Sequence, residues 1–484
     1  MEAMKQENPA SPPHSGATAV LDIGKTNAKL TLIAADGATL ATRRIASSII
    51  SSGASEGPYP HHDTERIWNW LLATLREFGQ SAHITAIVPV THGATAALVD
   101  DDGLVLPVLD YESALPQSVD SYSALRPPFT ESFSPDLPAG LNLGRQLAWL
   151  AHAFPEQFGR TRHILNYPQY WAWRLSGVAA SEVTSLGCHT DLWEPLRNGY
   201  SSLVARMGWA PLFPAQRAAW EPLGPLLPGL AGATGLPEDC QVLCGIHDSN
   251  ASLLRYLSAD AGAPGSSRAV LSTGTWVIAA AFGKPLDALA EHADMLANVN
   301  ALGQPVACMR FMGGREFGAI AGPDPVPCSQ AELERLIGQG SFALPCFSES
   351  GGPFFGRTGS VEGPAPATAA ERYALATLYC VLMSDYCLTA LGASGPVVVE
   401  GSYTENPHFA PLLAALRAPQ TVALTDDASG TTCGGWLLHR WGSTAALHSV
   451  TAQPLQLPGW LAYRQRWLEL LMQPAEAALP AWIA

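Results

Sequence analysis

The chain has 484 residues, 47% of them hydrophobic and 14% charged, with a formal net charge of -15. That length predicts two or more domains with sizeable cores, and the acidic balance excludes a nucleic-acid partner, which would need basic patches. Nine scattered cysteines without a C-x-x-C pair, no zinc set around Cys240 and Cys244, no signal-peptide pattern and no apolar run of bilayer length together predict a cytoplasmic protein off the membrane.

In chain order, Met1 to about Gly16 is polar and proline-containing and is expected to be disordered. Residues 18–46 read as three strands with a tight turn at Asp36-Gly37. Asp63 should cap a helix that carries Ile67, Leu71, Leu75 and Phe78 on one face. A buried strand, Ile84–Val90, leads to Thr91-His92-Gly93, and residues 96–110 resemble a hairpin turning at Asp101-Asp102-Gly103. From about 112 to 240 the chain is rich in Pro, Gly and Trp, as insertions that build binding pockets often are. Helices are expected over Gly144–Ala153 and Pro168–Leu175, the latter ending at Gly177. From Ala269 the three-strand opening begins again. A long helix should span Ala369–Leu391 and stop at Gly392. The strand Pro396–Glu400 ends at Gly401-Ser402, and another helix should start near Asn406-Pro407. A last helix, Gly459–Met472, reads as amphipathic through Leu461, Trp467, Leu468 and Leu471.

One pattern occurs twice. Ala19–Thr26, running into Ala28–Ile33, is echoed by Ala269–Trp276, running into Val277–Ala281. Each copy is an apolar strand, a tight turn on a glycine with small hydroxylated neighbours, and a second apolar strand. Backbone N–H groups and short hydroxyls at such a tip suit phosphate oxygens. Ala19–Thr26 also satisfies a relaxed P-loop spelling, but Val20, Leu21, Asp22 and Ile23 read as strand, and strand period resumes after Thr26 where a P-loop requires a helix. Between the copies lies Gly245-Ile-His247-Asp248, followed by a helical run over Ser252–Leu257. Asp248 thus falls at a strand-to-helix transition, where it can serve as a plain cap or as a base for an attacking hydroxyl.

Asp22-Ile-Gly24-Lys-Thr26, Gly245-Ile-His-Asp248, Ser272-Thr-Gly274-Thr275 and Glu400-Gly401-Ser402 resemble, in this order, the signatures of the FGGY carbohydrate kinases. The resemblance spans about residues 18–440. It implies an α/β protein of two ribonuclease-H-like domains, of the actin, hexokinase and Hsp70 superfamily, hinged around a central cleft. The expected division is a tail over 1–17, a sugar-binding domain over 18–255, an ATP-binding domain over 256–445 and a helical extension over 446–484. The implied activity is transfer of a phosphoryl group from Mg2+-bound ATP to a sugar hydroxyl.

By the same resemblance Asp248 is the general base and Asp22 holds Mg2+, with Asp248 sharing in it. Gly24, Thr26 and Asn27 form the first phosphate turn, with Lys25 either at a phosphate or solvated. Thr273, Gly274 and Thr275 form the second. Gly401, Ser402 and Asn406 resemble an adenosine-binding turn, with Gly313 and Gly314 across from it. His92, Asp110, Glu112 and His247 are assigned with Asp248 to the sugar side, Tyr111 being an equal candidate beside Asp110 and Glu112. Trp149, Trp171 and Trp173 are either sugar-stacking or core. Two signatures depart from the family: Gln146 replaces the usual Lys ahead of Trp149, and Gly430-Thr-Thr-Cys-Gly-Gly435 does not match the C-terminal one. His247-Asp248 and the turn ending in Trp276 favour the deoxy-ketose branch, the L-rhamnulose and L-fuculose kinases. Other ketose or polyol kinases and a non-catalytic sugar-binding regulator are the alternatives. The expected partners are a small-molecule sugar and ATP, with homodimer formation left open.

Overall fold

The computed structural model describes residues 16–53, 57–115, 122–257, 268–349, 351–425, 430–442 and 449–472; the expected N-terminal tail lies outside them except for Gly16. Two sheets repeat one plan. In the first, β1 (Ala17–Ile23), β2 (Asn27–Ile33) and β3 (Thr39–Ala46) form an antiparallel meander. Helix α1 (Thr64–Gly79) then crosses to β4 (Ile84–Thr91), which lies parallel to β1, and β5 (Gln241–Leu243) lies parallel to β4. In the second, β6 (Arg268–Thr273) and β7 (Val277–Phe282) are followed by a hairpin of β8 (Met295–Val299) with β9 (Pro305–Phe311), and β9 pairs with β7. Helix α3 (Ala369–Ala390, numbered after α2 below) precedes β10 (Val397–Gly401), parallel to β6, and β11 (Val422–Thr425), parallel to β10. The β-helix-β crossovers put the central strands of both sheets in the interior, so these strands are apolar almost throughout.

Local chemistry explains the main helices. The Asp63 side chain accepts from the Arg66 N–H and starts α1, whose Ile67, Leu71, Leu75 and Phe78 pack on the first sheet. Thr368 and Glu371 form a reciprocal capping box that starts α3. Contrary to the expectation that no apolar run is long enough, α3 could cross a membrane by length and composition. It is a core helix: 78% of that stretch is buried among the strands and helices of the second half.

Two helices join the halves. Helix α2 (Asp248–Leu253) continues as a single 3-10 turn over Leu254–Tyr256 rather than as the longer helix expected. Helix α4 (Gly430–His439) follows β11 of the second sheet in sequence, yet Leu437 and Leu438 pack with Val20, Val88 and Val90 of the first. It crosses α2 closely: a Cβ on Gly434 would lie 2.0 Å from the Ala251 carbonyl oxygen. Of the unmatched Gly-Gly pair, Gly434 is therefore a helix-crossing requirement, and Gly435 gives room to Val20 of β1, which a Cβ would approach to 2.5 Å. Beyond it, β12 (Ser449–Thr451) pairs with β11, and α5 (Trp460–Leu471) buries Trp460, Tyr463, Trp467 and Leu471 in the second core. Leu461, expected on the buried face, is 65% exposed, because the face turned to the core begins at Trp460. The hairpin expected over 96–110 is short: Ala96–Asp100 pairs with Gly103–Leu104 and, on its other side, with His163–Asn166.

Candidate active site

Both turns close with a bond from the glycine N–H, spanning three residues in the first and two in the second. The Gly24 N–H donates to the Asn27 carbonyl at 2.9 Å, and the Gly274 N–H donates to the Trp276 carbonyl at 2.9 Å. Thr26, Asn27 and Thr275 are exposed at the tips. Ser47 braces the first turn, its N–H bonding to Thr26 O at 2.9 Å and its hydroxyl to Gly24 O at 3.1 Å. The second turn is wedged between backbones. The Gly314 N–H donates to Thr275 O at 3.2 Å, and a Cβ on Gly314 would stand 2.6 Å from Gly274 O. Gly401, with φ +85°, would bring a Cβ within 2.0 Å of Thr273 O. The Thr273 hydroxyl donates to Glu400 O at 2.5 Å and accepts from the Tyr403 N–H at 2.9 Å. Gly313 also lies in this cluster, against Val277 and the Tyr403 hydroxyl. Ser402 is exposed. Asn406 is turned inward: its amide nitrogen donates to Thr377 Oγ1 at 2.9 Å and its oxygen accepts from the His408 N–H at 3.1 Å.

The short strand Ile246–His247 runs parallel to the end of β4, which sets His247 opposite Thr91 and Asp248 at the first residue of α2. The helix cap is His247, and Asp248 does not cap α2: its Oδ1 accepts from the adjacent Ser249 N–H at 2.6 Å and hydroxyl at 3.2 Å. His247 Nε2 lies 3.2 Å from the same oxygen, and its Nδ1 lies 3.2 Å from the Asn250 amide nitrogen. Burial lowers the His247 pKa to about 4, so the ring is neutral. With Nδ1 accepting from Asn250, Nε2 carries the proton and faces the Asp248 carboxylate. Burial and then the Asp22 carboxylate push Asp248 up to about 6, while His92 and the Ser249 bonds pull the other way. Its side chain keeps an opening, 28% exposed.

Asp22 sits opposite Lys29 on the β1–β2 ladder, and its Oδ2 receives Lys29 Nζ at 3.1 Å and the Thr431 hydroxyl, from α4, at 2.8 Å. Neither partner was singled out in the sequence. Ladder register would have found Lys29; nothing local points from Thr431 to Asp22. Lys25, considered for a phosphate, is bound by Asp110 and lies 3.3 Å from Glu112, over the Tyr111 ring at 4.8 Å. Two neighbouring carboxylates hold the ammonium beside the residues expected on the sugar side.

His92 extends the β1 contact through its N–H, which donates to Ile23 O at 2.9 Å. Its Nδ1 bonds Gly93 O at 3.0 Å, and burial lowers its pKa, so the neutral ring presents a bare Nε2 that is buried without a partner. His62, absent from the sequence expectations, packs against His92 at 5.2 Å, and Tyr111 does so at 5.3 Å. Gln146 donates to Ala94 O at 2.6 Å and to Gly140 O at 2.5 Å, bracing the segment after His92. Trp149 and Trp171 are core residues, so neither is set up to stack on a sugar, and Trp173 is half-buried beside that core.

Electrostatics tie the second turn to this neighbourhood. Arg310 lies over Trp276 at 4.5 Å and is held by Asp294 at 3.2 Å. Burial raises the Cys188 thiol pKa, and that thiol also feels both Asp248 and Arg310. His189 is lowered to about 4 by burial, then by Arg310 and His247. Among the described residues no cluster of three or more His, Cys, Asp or Glu could hold a metal by itself. Asp22 and Asp248 are two carboxylates near enough to repel, and that donor set fits Mg2+, which takes one or two carboxylates together with phosphate oxygens and water.

Residues 265–447 match the family model for the carbohydrate kinase FGGY C-terminal domain. The chain is similar to a carbohydrate kinase from Novosphingobium aromaticivorans, at 37% identity and a TM-score of 0.85, over 94% of this chain and 98% of that one. The chain belongs to the FGGY carbohydrate kinase family. It is an ATP-dependent sugar kinase, a phosphotransferase acting on a sugar hydroxyl, with the two-domain actin-like fold. Two further structures share that fold at low identity. Ligand-bound xylulose kinase from Lactobacillus acidophilus is 14% identical with a TM-score of 0.76, covering 94% of this kinase and 96% of that chain. Plasmodium falciparum glycerol kinase with ADP is 11% identical with a TM-score of 0.74, covering 95% and 99%. No curated protein matches the kinase.

Proposed function

We propose that the kinase phosphorylates a neutral ketose or polyol, with Asp248 as the base that takes the acceptor proton and Asp22 as the residue that holds Mg2+. The observation that carries this reading is the Asp248 carboxyl, lifted to about 6 beside Asp22 and still open on one side. A carboxylate of that pKa is ionised at neutral pH and is a stronger proton acceptor than an ordinary aspartate. The metal, when bound, supplies positive charge to the phosphate oxygens. Lys29 adds a fixed cation beside Asp22. The tips of the two turns, at Lys25 to Asn27 and at Thr275, are assigned to phosphate oxygens, the Gly24 and Gly274 N–H groups being used to close the turns, and Gly313, Gly314, Gly401 and Ser402 are assigned to the nucleoside side.

The Ser249 N–H and hydroxyl donate to the Asp248 carboxylate and orient it, and the neutral His247 ring packs beside the same oxygen. Phosphoryl transfer needs such orientation more than proton abstraction, because its transition state is loose. Acceptor recognition falls to His92 Nε2 and to the Asp110, Glu112 and Asp248 carboxylates, all groups that accept hydrogen bonds. They suit the hydroxyl donors of an uncharged sugar and disfavour an aldonate carboxylate. L-Rhamnulose and L-fuculose are the first acceptors to try, on the sequence around His247-Asp248 and Trp276.

A panel of ketoses, polyols and gluconate, scored by acceptor-dependent ADP release, tests the assignment. A neutral sugar should be used and gluconate should not; preferential use of gluconate would refute the acceptor chemistry. Acceptor-independent ADP release would instead mark an ATPase, and binding without turnover a sugar-sensing regulator. With the best acceptor, Asp248→Asn should retain ATP binding and lose about two orders of magnitude or more in kcat. Near-normal kcat would remove Asp248 from the chemistry.

A further inference from the structure

The helix that carries Asp248 belongs to both halves of the kinase. Ala251 and Leu254 pack with Val20, Val88 and Val90 of the first sheet, whereas Leu253 and Tyr256 pack with Val270, Ala280 and Val306 of the second. Its closing turn grips the second sheet by polar contacts as well. Arg255 Nη2 donates to Glu400 Oε2 at 2.5 Å, and the Tyr256 hydroxyl donates to the same oxygen at 2.7 Å. Arg268, at the start of β6, donates to the Tyr256 carbonyl at 2.9 Å. The Arg255 and Glu400 side chains are 4% and 6% exposed. Glu400 lies next to Gly401, and its own carbonyl takes the Thr273 hydroxyl at 2.5 Å. Covalent and hydrogen bonds thus run without a break from Asp248 to the Thr273–Gly401 junction.

A buried ion pair is a poor way to gain stability, since apolar residues of the same volume often do as well. What it adds is direction: Glu400 can satisfy Arg255 and Tyr256 only in one register of the turn against β10. We propose that Glu400, Arg255 and Tyr256 form a positioning device through which nucleotide at the second turn orders the helix bearing Asp248. The proposal rests on the assignment of nucleotide to that turn made above. Displacement of Thr273 or Gly401 moves the Glu400 backbone directly, and the carboxylate carries the movement to Arg255 and Tyr256. The base is then held more firmly when nucleotide is present, which suits an enzyme that must not expose a reactive phosphate without its acceptor aligned.

Amide hydrogen exchange of the full chain, with and without β,γ-imido-ATP and Mg2+, tests this in the wild type, Glu400→Gln and Tyr256→Phe. In the wild type the analogue should slow exchange over residues 249–256 by about fivefold or more, a coupling of ordinary size, together with residues 273–276. Glu400→Gln should keep the slowing at 273–276 and lose it at 249–256, with Tyr256→Phe intermediate. Equal nucleotide-dependent slowing at 249–256 in all three proteins would overturn the proposal. So would uniformly faster exchange with the nucleotide-dependent ratio intact, the mark of a merely structural pair. If Glu400→Gln fails to fold, Tyr256→Phe decides alone, because it removes one hydrogen bond and leaves the ion pair. Absence of any slowing at 273–276 in the wild type would refute the nucleotide assignment itself and this proposal with it.

Discussion

The two glycine turns are built on the same ladder and held by opposite means. The first is fixed by side chains: Ser47 beneath it, Lys25 reaching to Asp110, and Asp22 behind it on Lys29 and Thr431. The second is fixed chiefly by close backbone approach, with Gly314 and Gly401 pressed against Gly274 and Thr273, and by the Thr273 hydroxyl between Glu400 O and the Tyr403 N–H. The loop of the second is also one residue shorter, since Thr273 pairs with Val277 whereas Ile23 pairs with Ala28. A duplicated scaffold has thus diverged. The first turn is tied by side chains to Asp110 and to helix α4 and the second is closed in by glycine backbone, a difference that fits the separate acceptor and nucleotide roles proposed for them.

That contrast is broken most severely at Gly401. An alanine there meets Thr273 O at 2.0 Å and must adopt φ +85°, so Gly401→Ala should cost about 3 kcal/mol or more and weaken nucleotide binding. Gly314→Ala, at 2.6 Å from Gly274 O, should cost about 1–3 kcal/mol. Gly24→Ala and Gly274→Ala meet nothing closer than 3.5 Å and 3.8 Å and should stay within about 1 kcal/mol of the wild type. Thermal denaturation of the four variants measures this. Equal losses at positions 24 and 401 would mean that the two turns are held alike.

Asp22→Asn sharpens the difference next. It should raise the Mg2+ concentration for half-activity by about tenfold, as lost ligands or their immediate supports do. It also removes the charge that helps to hold Asp248 at about 6. In the wild type the base is protonated below that value, so kcat/KM should fall about tenfold per pH unit on the acid side. In Asp22→Asn this limb should move to lower pH; an unmoved limb would separate the two carboxylates. The stability linkage has the opposite sense. The Asp248 pKa is raised in the fold from an ordinary 3.8, so the native state holds the extra proton between those values. The stability associated with that proton is present at acid pH and is lost as pH rises through about 6. Asp248→Asn should therefore raise Tm at pH 7.5, and not at pH 3.5, while abolishing turnover.

What could be read in the sequence was local. The strand-glycine-strand pattern carries its own period and turn chemistry, so both hairpins and the strand-to-helix position of Asp248 were visible without a fold. The Asp63 cap and the face of α1 followed the same logic. What escaped was fixed by contacts distant along the chain. Gly434 is small because Ala251 crosses it, Thr431 bonds Asp22, and Asn406 faces Thr377. No periodicity in those segments encodes the partner. The Trp residues were ambiguous for another reason: an aromatic ring suits a core and a sugar face equally, and only burial separates the two.

Lys25 gives the smallest kinetic effect and the finest test of the contrast. Its ammonium is bound by Asp110 and faces Glu112, which is 61% exposed and adds little, so the stability cost of Lys25→Met, about 1–3 kcal/mol, comes from stranding Asp110. The Asp110 carboxylate is only 10% exposed and loses its counter-charge in that variant. If Asp110 meets an acceptor hydroxyl, its orientation depends on Lys25, and the acceptor KM should shift several-fold, on the order of one lost charge-assisted hydrogen bond. The ATP KM should not move. A lysine serving a phosphate gives the reverse result, a changed ATP KM or kcat at constant acceptor KM. Steady-state kinetics with each substrate varied in turn therefore decides whether the first turn faces the acceptor through Lys25, or whether both turns face the nucleotide.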